Sequence, residues 1–321
     1  MVSKVSAASS LPPAVIVTGP TAAGKTALVE ALYDRFPIRL ISVDSVQIYR
    51  GLNIGSAKPS EDDLVRYPHA LIDQRWPEES YSVADFVADA EQEMRAAARS
   101  GLIPVLVGGT VLYLRALLYG LDPLPSADAL VRERLAERAS RAGWPALHAE
   151  LAQRDPQTAA TIRPSDSQRI QRALEVLEMT GRGLAAHHSG PRLPRFQTRR
   201  FVLAPADRSE LHDRIGRRLR EMLKSGLIEE VEQLRLERTQ LSEVCPSMRA
   251  VGYRQVWQFL DDKIPREALL SQASAATRQL AKRQLTWLRK FNDALWYDPA
   301  RSSSVSMIGS QVDEFRNTEI A

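Results

Sequence analysis

The sequence predicts an α/β fold, with a parallel sheet as its core and an all-helical domain inserted into it. Short apolar segments rich in β-branched residues alternate with helical stretches. The first segment leads into a glycine-rich loop and a helix, and a long helical tract between two proline-rich stretches interrupts the later pattern. Together these observations separate an α/β core from a helical insertion.

Four apolar segments are bounded by turn residues: AVIVTG (14–19), RLISVD (39–44), IPVLVGG (103–109) and RRFVLAP (199–205). Their continuous apolar composition is typical of strands that are buried on both faces of a parallel sheet. A helical stretch, 25–35, separates the first two, so the chain opens as strand, loop, helix and strand.

The tract between the third and fourth segments carries helical patterns and no strand signal. It is entered through LDPLPSAD (121–128) and left through SGPRLPRF (189–196), and such proline-rich borders suggest domain boundaries. Within it, Ser165–Gln168 has the form of a capping box before the helix RIQRALEVLEM. We predict a core of residues 11–122 and 197–321 and an inserted helical domain of residues 123–196.

The composition is that of a globular protein. At 321 residues, with 44% hydrophobic and 26% charged residues, the chain is long enough for about two domains. Its single cysteine, Cys245, excludes an internal disulfide and a cysteine-based zinc module. The N-terminus, MVSKVSAASSLPP, lacks the apolar region of a signal peptide, and the longest uncharged apolar run, 102–114, is too short to cross a bilayer. We expect a cytoplasmic protein with no membrane role.

A phosphate-binding loop follows the first strand. The P-loop pattern is met in full, with a strand before it and a helix after it, by Gly19, Pro20, Thr21, Ala22, Ala23, Gly24, Lys25 and Thr26. Backbone N–H groups would cradle phosphate oxygens, Lys25 would supply charge and the Thr26 hydroxyl would hold Mg²⁺. The core is therefore P-loop NTPase-like. Because the motif defines a binding mode rather than a reaction, a kinase, an NTPase and an enzyme with a phosphate leaving group remain open.

Asp44 ends the second strand, at the edge of the sheet where ligands of α/β folds bind. It could hold Mg²⁺ in an NTPase, act as a general base in a transferase, or merely cap the next helix. Gln47 favours a functional role, since glutamine can read an adenine edge. The third strand ends in Gly108-Gly109-Thr110 instead of an acid, which disfavours a standard NTPase. The two glycines would bring bare backbone close to a ligand or form an ordinary turn.

Two of the predicted helices are rich in basic residues. In the helix 207–223, Arg218 lies nearest to the apolar stripe and is best placed to reach a buried anion, whereas Arg217 points almost opposite. A solvated helix face is the alternative for either arginine. The last long helix, 271–292, has no acidic residue and contains Arg278, Lys282, Arg283, Arg289 and Lys290.

A second acid-free basic tract covers residues 179–206, although the net charge of the whole chain is only +4. Concentrated charge of this kind favours contact with nucleic acid over a uniformly basic surface. The histidines show no metal-ligand spacing, His187 and His188 included, so we assign no metal site beyond Mg²⁺ at the phosphates.

With these motifs, the chain resembles the tRNA dimethylallyltransferases, the isopentenyl transferase family that modifies the adenosine beside the anticodon. The resemblance covers nearly the whole chain and rests on GPTAAGKT, ISVDSVQIYRGLNIGSAKPS, HALID, YSVADF, LVGGTVLYL, QRIQRALEV, RAVGYRQVW and TRQLAKRQLTWLRKF. Two departures are small: Ala23 stands where the family usually has serine, and Ala70 replaces a frequent histidine.

The resemblance implies that the P-loop holds dimethylallyl diphosphate rather than ATP, with Mg²⁺ as cofactor. The dimethylallyl group would pass to N6 of the adenosine 3′-adjacent to the anticodon, and diphosphate would leave. Asp44 would act as the base, Thr21 would lie near the bridging oxygen, and Arg218 would neutralise charge on the departing diphosphate. The adenosine would be flipped from the anticodon loop of the tRNA to reach the carboxylate.

The residues that would face the RNA by resemblance are Asp44, Ser45, Val46, Gln47, Thr110, Arg132, Gln168, Arg169, Ile170, Gln171, Arg172, Arg249, Ala250, Val251, Gly252, Tyr253 and Arg254. The charge pattern adds Arg278, Lys282 and Arg283. From the family we expect a monomer that needs no protein partner.

Three other functions stay open. A prenyltransferase of free adenine nucleotides would need no RNA surface, which the basic helices and the large insertion disfavour. A small-molecule kinase would use Asp44 as base and Arg218 as a lid arginine, and would bind ATP. A tRNA-binding protein without activity would not need the intact Lys25-Thr26 pair.

Overall fold

A computed structural model describes residues 11–187, 190, 192–301 and 303–319. The chain divides into two compact units: one comprises the chain up to Leu118 and from Pro194 onward, and the other is Tyr119–Leu193. These borders lie within a few residues of the domain bounds expected from the proline-rich stretches. The expectations for the N-terminal segment before residue 11 and for His188 concern residues outside this description.

The first unit contains one parallel sheet. Its strands are β1 Ala14–Thr18, β2 Ile38–Val43, β3 His69–Ala70, β4 Ile103–Gly108, β5 Thr198–Leu203 and β6 Leu295–Tyr297. Their order is β3-β2-β4-β1-β5-β6, and every pair is parallel. The predicted parallel α/β core is confirmed. The sequence missed β3 and β6, which have two and three residues and are too short to show a periodic pattern.

The α-helices alternate with these strands and, beyond β4, make up most of the chain. In chain order they are α1 Lys25–Tyr33, α2 Glu61–Arg66, α3 Val83–Arg99, α4 Val111–Tyr119, α5 Ala129–Ala142, α6 Trp144–Arg154, α7 Pro156–Ala159, α8 Ser167–Thr180, α9 Arg208–Lys224, α10 Leu227–Glu237, α11 Tyr253–Leu260, α12 Arg266–Leu288 and α13 Ser303–Glu319. Short 3₁₀ helices occur at Leu184–His187 and Ser247–Arg249.

The register of the central strands brings their carboxyl ends together. Thr18 of β1 and Val43 of β2 both lie opposite Gly108 of β4. The Thr18 hydroxyl also donates a hydrogen bond to the Gly108 carbonyl at 2.8 Å. The loops that follow β1, β2 and β4 therefore begin at the same edge of the sheet, where α/β proteins bind their ligands.

One face of the sheet is covered by α1 and by the C-terminal helix α13. Val15, Val17, Leu40 and Val105 from the strands form one buried cluster with residues of both helices, which are Leu28, Val29, Leu32, Ile308, Val312 and Phe315. A buried apolar cluster of this size is the main favourable term in the stability of the core. Helix α13 is thus part of the folded core.

The second unit is entirely helical within the described residues, and α5, α6 and α8 enclose its own buried cluster, which includes Leu135, Leu151 and Ile170. The capping residue of α8 differs from the prediction. The side chain of Asp166, not Ser165, accepts a hydrogen bond from the backbone N–H of Arg169 at 3.2 Å. Asp166 is also a favourable N-cap residue, so the local sequence allowed both registers.

Among the described residues, no helix is both long enough and apolar enough to cross a membrane.

The packing of α13 can be tested with two adjacent residues. Ile308 is fully buried, whereas Met307 is 52% exposed. Ile308→Ala should lower the free energy of unfolding by about 2–5 kcal/mol, because it leaves a cavity in the core. Met307→Ala should change it by less than about 0.5 kcal/mol. Denaturant unfolding of both variants checks this, and equal effects would contradict the described packing of α13.

Candidate active site

A cleft of about 550 Å³ opens at the carboxyl ends of β1, β2 and β4. The P-loop forms one wall, and α9 forms another. Its lining includes Thr21, Ala22, Ala23, Gly24, Lys25, Thr26, Asp44, Gln47, Gly109, Arg214, Arg217, Arg218 and Gln284. The structure therefore brings together the predicted phosphate loop, the predicted base and the predicted arginine.

The P-loop has the geometry of an anion site at a helix N-terminus. Gly24 is the N-cap of α1, with a φ of 82°, a conformation that favours glycine. The Lys25 ammonium donates hydrogen bonds to the carbonyls of Gly19 and Pro20, at 3.1 and 2.9 Å. The Ala23 side chain is buried and carries no hydroxyl, and the Ala23 N–H donates to the Pro20 carbonyl at 3.3 Å.

Lys25 lies in a dense positive environment. Removal from water and, to a lesser extent, the nearby Arg218 lower the pKa of Lys25 to about 8, although Asp44 partly opposes both effects. An anion bound between these cations would favour the charged form of Lys25. In the absence of such an anion, the folded protein holds two cations close together at an energetic cost.

The Thr26 hydroxyl lines the same cleft and has no hydrogen-bond partner among the described residues. This arrangement fits Mg²⁺, which usually takes few ligands from protein and the others from phosphates and water. Outside the masked positions, no group of three or more histidine, cysteine or acidic side chains is arranged for a metal ion. A magnesium ion here would therefore depend on the diphosphate for most of its ligands.

Asp44 follows β2 directly, and its two carboxylate oxygens are in different situations. Oδ1 accepts hydrogen bonds from the backbone N–H groups of Val46 and Gln47, at 2.8 and 3.3 Å. Oδ2 accepts none from the described residues. Asp44 thus caps the following turn with one oxygen and offers the other to the cleft, so the capping and functional interpretations are compatible.

The neighbours of Asp44 link adjacent loops. The Thr110 hydroxyl accepts a hydrogen bond from the Ser45 N–H at 3.1 Å, which joins the loops after β2 and β4. The Gln47 amide accepts from the Ser42 hydroxyl at 3.1 Å and donates to the Ser56 and Ala57 carbonyls at 3.4 and 3.2 Å. Gln47 would have to share these bonds in order to read an adenine, so its clearest observed role is to brace the loop.

The arginines of α9 differ in their pairing. Arg218 has no hydrogen bond or ion pair within the described part of the chain, and burial lowers its pKa while Asp44 partly opposes this. Arg214 is paired with Glu210 at 2.5 Å. Arg217 is exposed, as its helical position indicates, yet it also lines the cleft. Arg217 and Arg218 therefore both line the cleft without an ion-pair partner in the described residues, and Arg218 is the more buried of the two.

The predicted RNA-facing segment 249–254 is only partly at the surface. Arg249 and Arg254 are exposed, and Ala250 and Val251 are half-buried. For Gly252 and Tyr253 the prediction is wrong, because both are buried. The Tyr253 hydroxyl donates to Glu230 at 2.6 Å, so this side chain belongs to the core. Of this segment only Tyr253 and Arg254 belong to α11, and the turn of about 100° between them lets Tyr253 face the core while Arg254 is exposed.

Glu230 was not recognised in the sequence. Its carboxylate accepts hydrogen bonds from the backbone N–H groups of Asn53, Ile54 and Gly55, at 3.0, 2.7 and 3.4 Å, besides the Tyr253 hydroxyl. This network holds the loop that continues to Ser56 and Ala57 at the cleft. No local pattern marks Glu230, because its backbone partners lie more than 170 residues earlier.

In the helical unit, Arg132, Gln168 and Arg169 are exposed, and Gln171 and Arg172 are half-buried. The prediction for Ile170 is wrong, since this residue is fully buried in the core of the unit. The Glu175 carboxylate is buried and accepts from Arg132 at 2.7 Å and Arg172 at 2.6 Å. Burial acts to raise the pKa of Glu175, but hydrogen bonds from these arginines hold it below its ordinary value.

On α12, Lys282 and Arg283 are exposed and Arg278 is half-buried, and none of these three has an ion-pair partner in the described residues. Their side chains are therefore available to phosphates.

The fold and the cleft define a P-loop α/β protein in which a carboxylate and an unpaired arginine share the phosphate site. The family model described as IPP transferase matches residues 47–291. Because this range is more than half of the chain, the chain belongs to the IPP transferase family.

The chain is similar to the tRNA dimethylallyltransferase of Thiobacillus denitrificans, with 55% identity over 90% of this chain and 92% of the relative. It is 49% identical to the tRNA dimethylallyltransferase of Dechloromonas aromatica, over 95% of this chain and 98% of that one. Among solved structures, the full-length tRNA isopentenylpyrophosphate transferase of Bacillus halodurans matches with a TM-score of 0.70 and 32% identity, over 96% and 98% of the two chains.

The lowered pKa of Lys25 predicts how diphosphate binding depends on pH. Below pH about 8 the ammonium is charged, and above it the charge is lost unless an anion retains it. The affinity for inorganic diphosphate should therefore fall as pH rises above this value, by up to about tenfold per pH unit. Titration calorimetry between pH 7 and pH 10 measures it.

The control variant is Lys25→Arg, because arginine keeps its charge from pH 7 to pH 10. Any pH dependence of binding that remains in this variant comes from the titration of diphosphate itself. If the native protein and Lys25→Arg show the same pH profile, Lys25 does not control binding.

Proposed function

We propose that the protein transfers the dimethylallyl group of dimethylallyl diphosphate to N6 of the adenosine 3′-adjacent to the anticodon in tRNA. Diphosphate is the leaving group. Membership of the IPP transferase family and the names of its relatives support this reaction. The observation that carries it is the cleft itself, where Asp44 Oδ2 accepts no hydrogen bond from the part of the chain that the structure describes and shares the P-loop site with Arg218.

Asp44 is the proposed general base. The exocyclic N6 of adenosine is a weak nucleophile because its lone pair is delocalised into the ring. As the bond from N6 to the allylic carbon forms and the carbon–oxygen bond to diphosphate breaks, Oδ2 takes the proton from N6. The N–H groups of Val46 and Gln47 hold Oδ1, so the carboxylate has a defined orientation before the adenosine arrives.

The donor diphosphate would lie against the P-loop. Backbone N–H groups at the start of α1 bind its oxygens, and Lys25 and Arg218 neutralise the charge that grows as it leaves. The Thr21 hydroxyl lines the cleft without a partner among the described residues, which suits a role near the bridging oxygen. Mg²⁺ held through the diphosphate and the Thr26 hydroxyl would add further charge stabilisation.

The proposed acceptor is the anticodon stem-loop of tRNA. A stacked adenosine cannot reach a carboxylate inside a cleft, so the base must be flipped out of the loop. In the first unit, the exposed cations of α12 would bind phosphates of the tRNA backbone. In the helical unit, Arg132 and Arg169 would bind other phosphates of the tRNA. We propose a monomer that acts in the cytoplasm without a protein partner.

The reaction is tested directly with unmodified tRNA and Mg²⁺. One sample receives dimethylallyl diphosphate and a parallel sample receives ATP, and the nucleosides are analysed by mass after digestion. An adenosine heavier by one C5H8 unit in the first sample alone is the expected result. Consumption of ATP without a modified nucleoside would instead favour a kinase.

The role of Asp44 predicts the effect of one substitution. Asp44→Asn keeps the capping oxygen but removes the base, and should lower turnover by about 10²- to 10⁴-fold. The affinity for inorganic diphosphate should change far less. The matched control is Asp62→Asn, at an exposed position on α2. A loss of less than threefold in Asp44→Asn would exclude Asp44 as the base.

The role of α12 predicts a change in salt dependence. Lys282→Gln should lower the salt slope of tRNA binding by about one unit, since it removes one phosphate contact. The control is Lys263→Gln, because Lys263 is already paired with Glu243 at 2.8 Å and Asp261 at 3.3 Å. Filter binding at several salt concentrations measures both slopes. Equal slopes in the native protein and Lys282→Gln would remove Lys282 from the interface.

A further inference from the structure

One cleft residue, Gln284 of α12, has no place in the reaction described above. Its side chain lines the cleft and bonds to the backbone of two loops at once. Gln284 Oε1 accepts the Thr21 N–H at 3.0 Å, and Nε2 donates to the Gly109 carbonyl at 2.9 Å. The amide therefore spans the loop after β1 and the loop after β4, with one hydrogen bond at Oε1 and one at Nε2.

This contact leaves little room for a side chain at residue 109 while Gln284 keeps its position. A Cβ at Gly109 would lie 2.6 Å from Gln284 Nε2, well inside van der Waals contact, and 3.3 Å from the Gly19 carbonyl oxygen. The backbone at Gly109 is thus approached closely by the Gln284 side chain of α12. The contact with Gln284 adds to the two interpretations left open by the sequence, and Gly109 itself also lines the cleft.

The bond to Thr21 also affects the phosphate loop. The Thr21 N–H points to Gln284 and is occupied, so the amides that remain for phosphate oxygens are those nearer to α1. The Thr21 hydroxyl, in contrast, stays open to the cleft. Preorganised groups bind a developing charge better than groups that must first reorganise.

We propose that Gln284 is a positioning residue of the donor site, which holds the P-loop entrance against the end of β4 and so sets the position of Thr21. It acts through Thr21 and Gly109 and does not itself touch the reacting atoms. For the transfer step this inference rests on the proposed function, whereas the effect on diphosphate binding does not.

The first test replaces the amide with an apolar side chain of similar length, Gln284→Met. The matched control is Gln279→Met, at an exposed position of the same helix. We expect the Kd for inorganic diphosphate and the KM for dimethylallyl diphosphate to rise roughly tenfold in Gln284→Met, since two buried backbone groups lose their partner. The Kd for tRNA should stay within twofold of the control.

This combination separates positioning from a loss of folded protein. A smaller folded fraction would lower kcat and leave the diphosphate Kd and the donor KM unchanged. A diphosphate Kd within twofold of that of Gln279→Met would overturn the proposal.

A second test uses the close approach at Gly109. Gly109→Ala should weaken diphosphate binding by pushing against the Gln284 amide. In a Gln284→Ala background the added methyl has room, so the same substitution should cost less than twofold. Additive effects in this double-mutant cycle would contradict a direct interaction. If the native protein transfers no prenyl group, the proposed function fails, and the diphosphate measurements still decide the role of Gln284.

Discussion

The parallel register of β1, β4 and β2 is the constraint on which the site depends. Because Thr18, Gly108 and Val43 lie side by side, the loops that begin after them meet at one edge of the sheet. The first loop carries the P-loop, the second carries Asp44 and the third carries Gly109 and Thr110. A change of register in any of these strands would move one of the three loops away from the others and dismantle the cleft.

The same cleft concentrates charge that the folded protein does not neutralise by itself. Burial lowers the pKa of Lys25 and of Arg218, and Asp44 partly compensates both. This arrangement lowers the stability of the ligand-free protein and favours the binding of a polyanion. Such a loss of stability at a functional site is common. The cost is offset by burial elsewhere, notably in the cluster that α13 completes with α1 and the sheet.

Several groups in the site owe their orientation to residues that perform no chemistry. Two backbone N–H groups hold one oxygen of Asp44, Gln47 braces the loop 56–57, and Glu230 holds the loop 53–55. In the helical unit, Glu175 fixes two arginines in the same way. Such supporting residues are expected where the geometry of a site must be held closely.

The sequence by itself determined the parallel core, the phosphate loop, the position of Asp44 after its strand and the family, because each of these is encoded in contiguous residues. It also showed that Arg218, rather than Arg217, lies towards the buried side of α9. Only the tertiary structure decided that Ile170 and Tyr253 are buried, although neighbouring residues in their segments reach the surface. It alone revealed Gln284, whose partner Thr21 lies 263 residues away. Local patterns specify which element forms and which face it buries, whereas a contact between distant loops depends on how the elements pack, which no local pattern encodes.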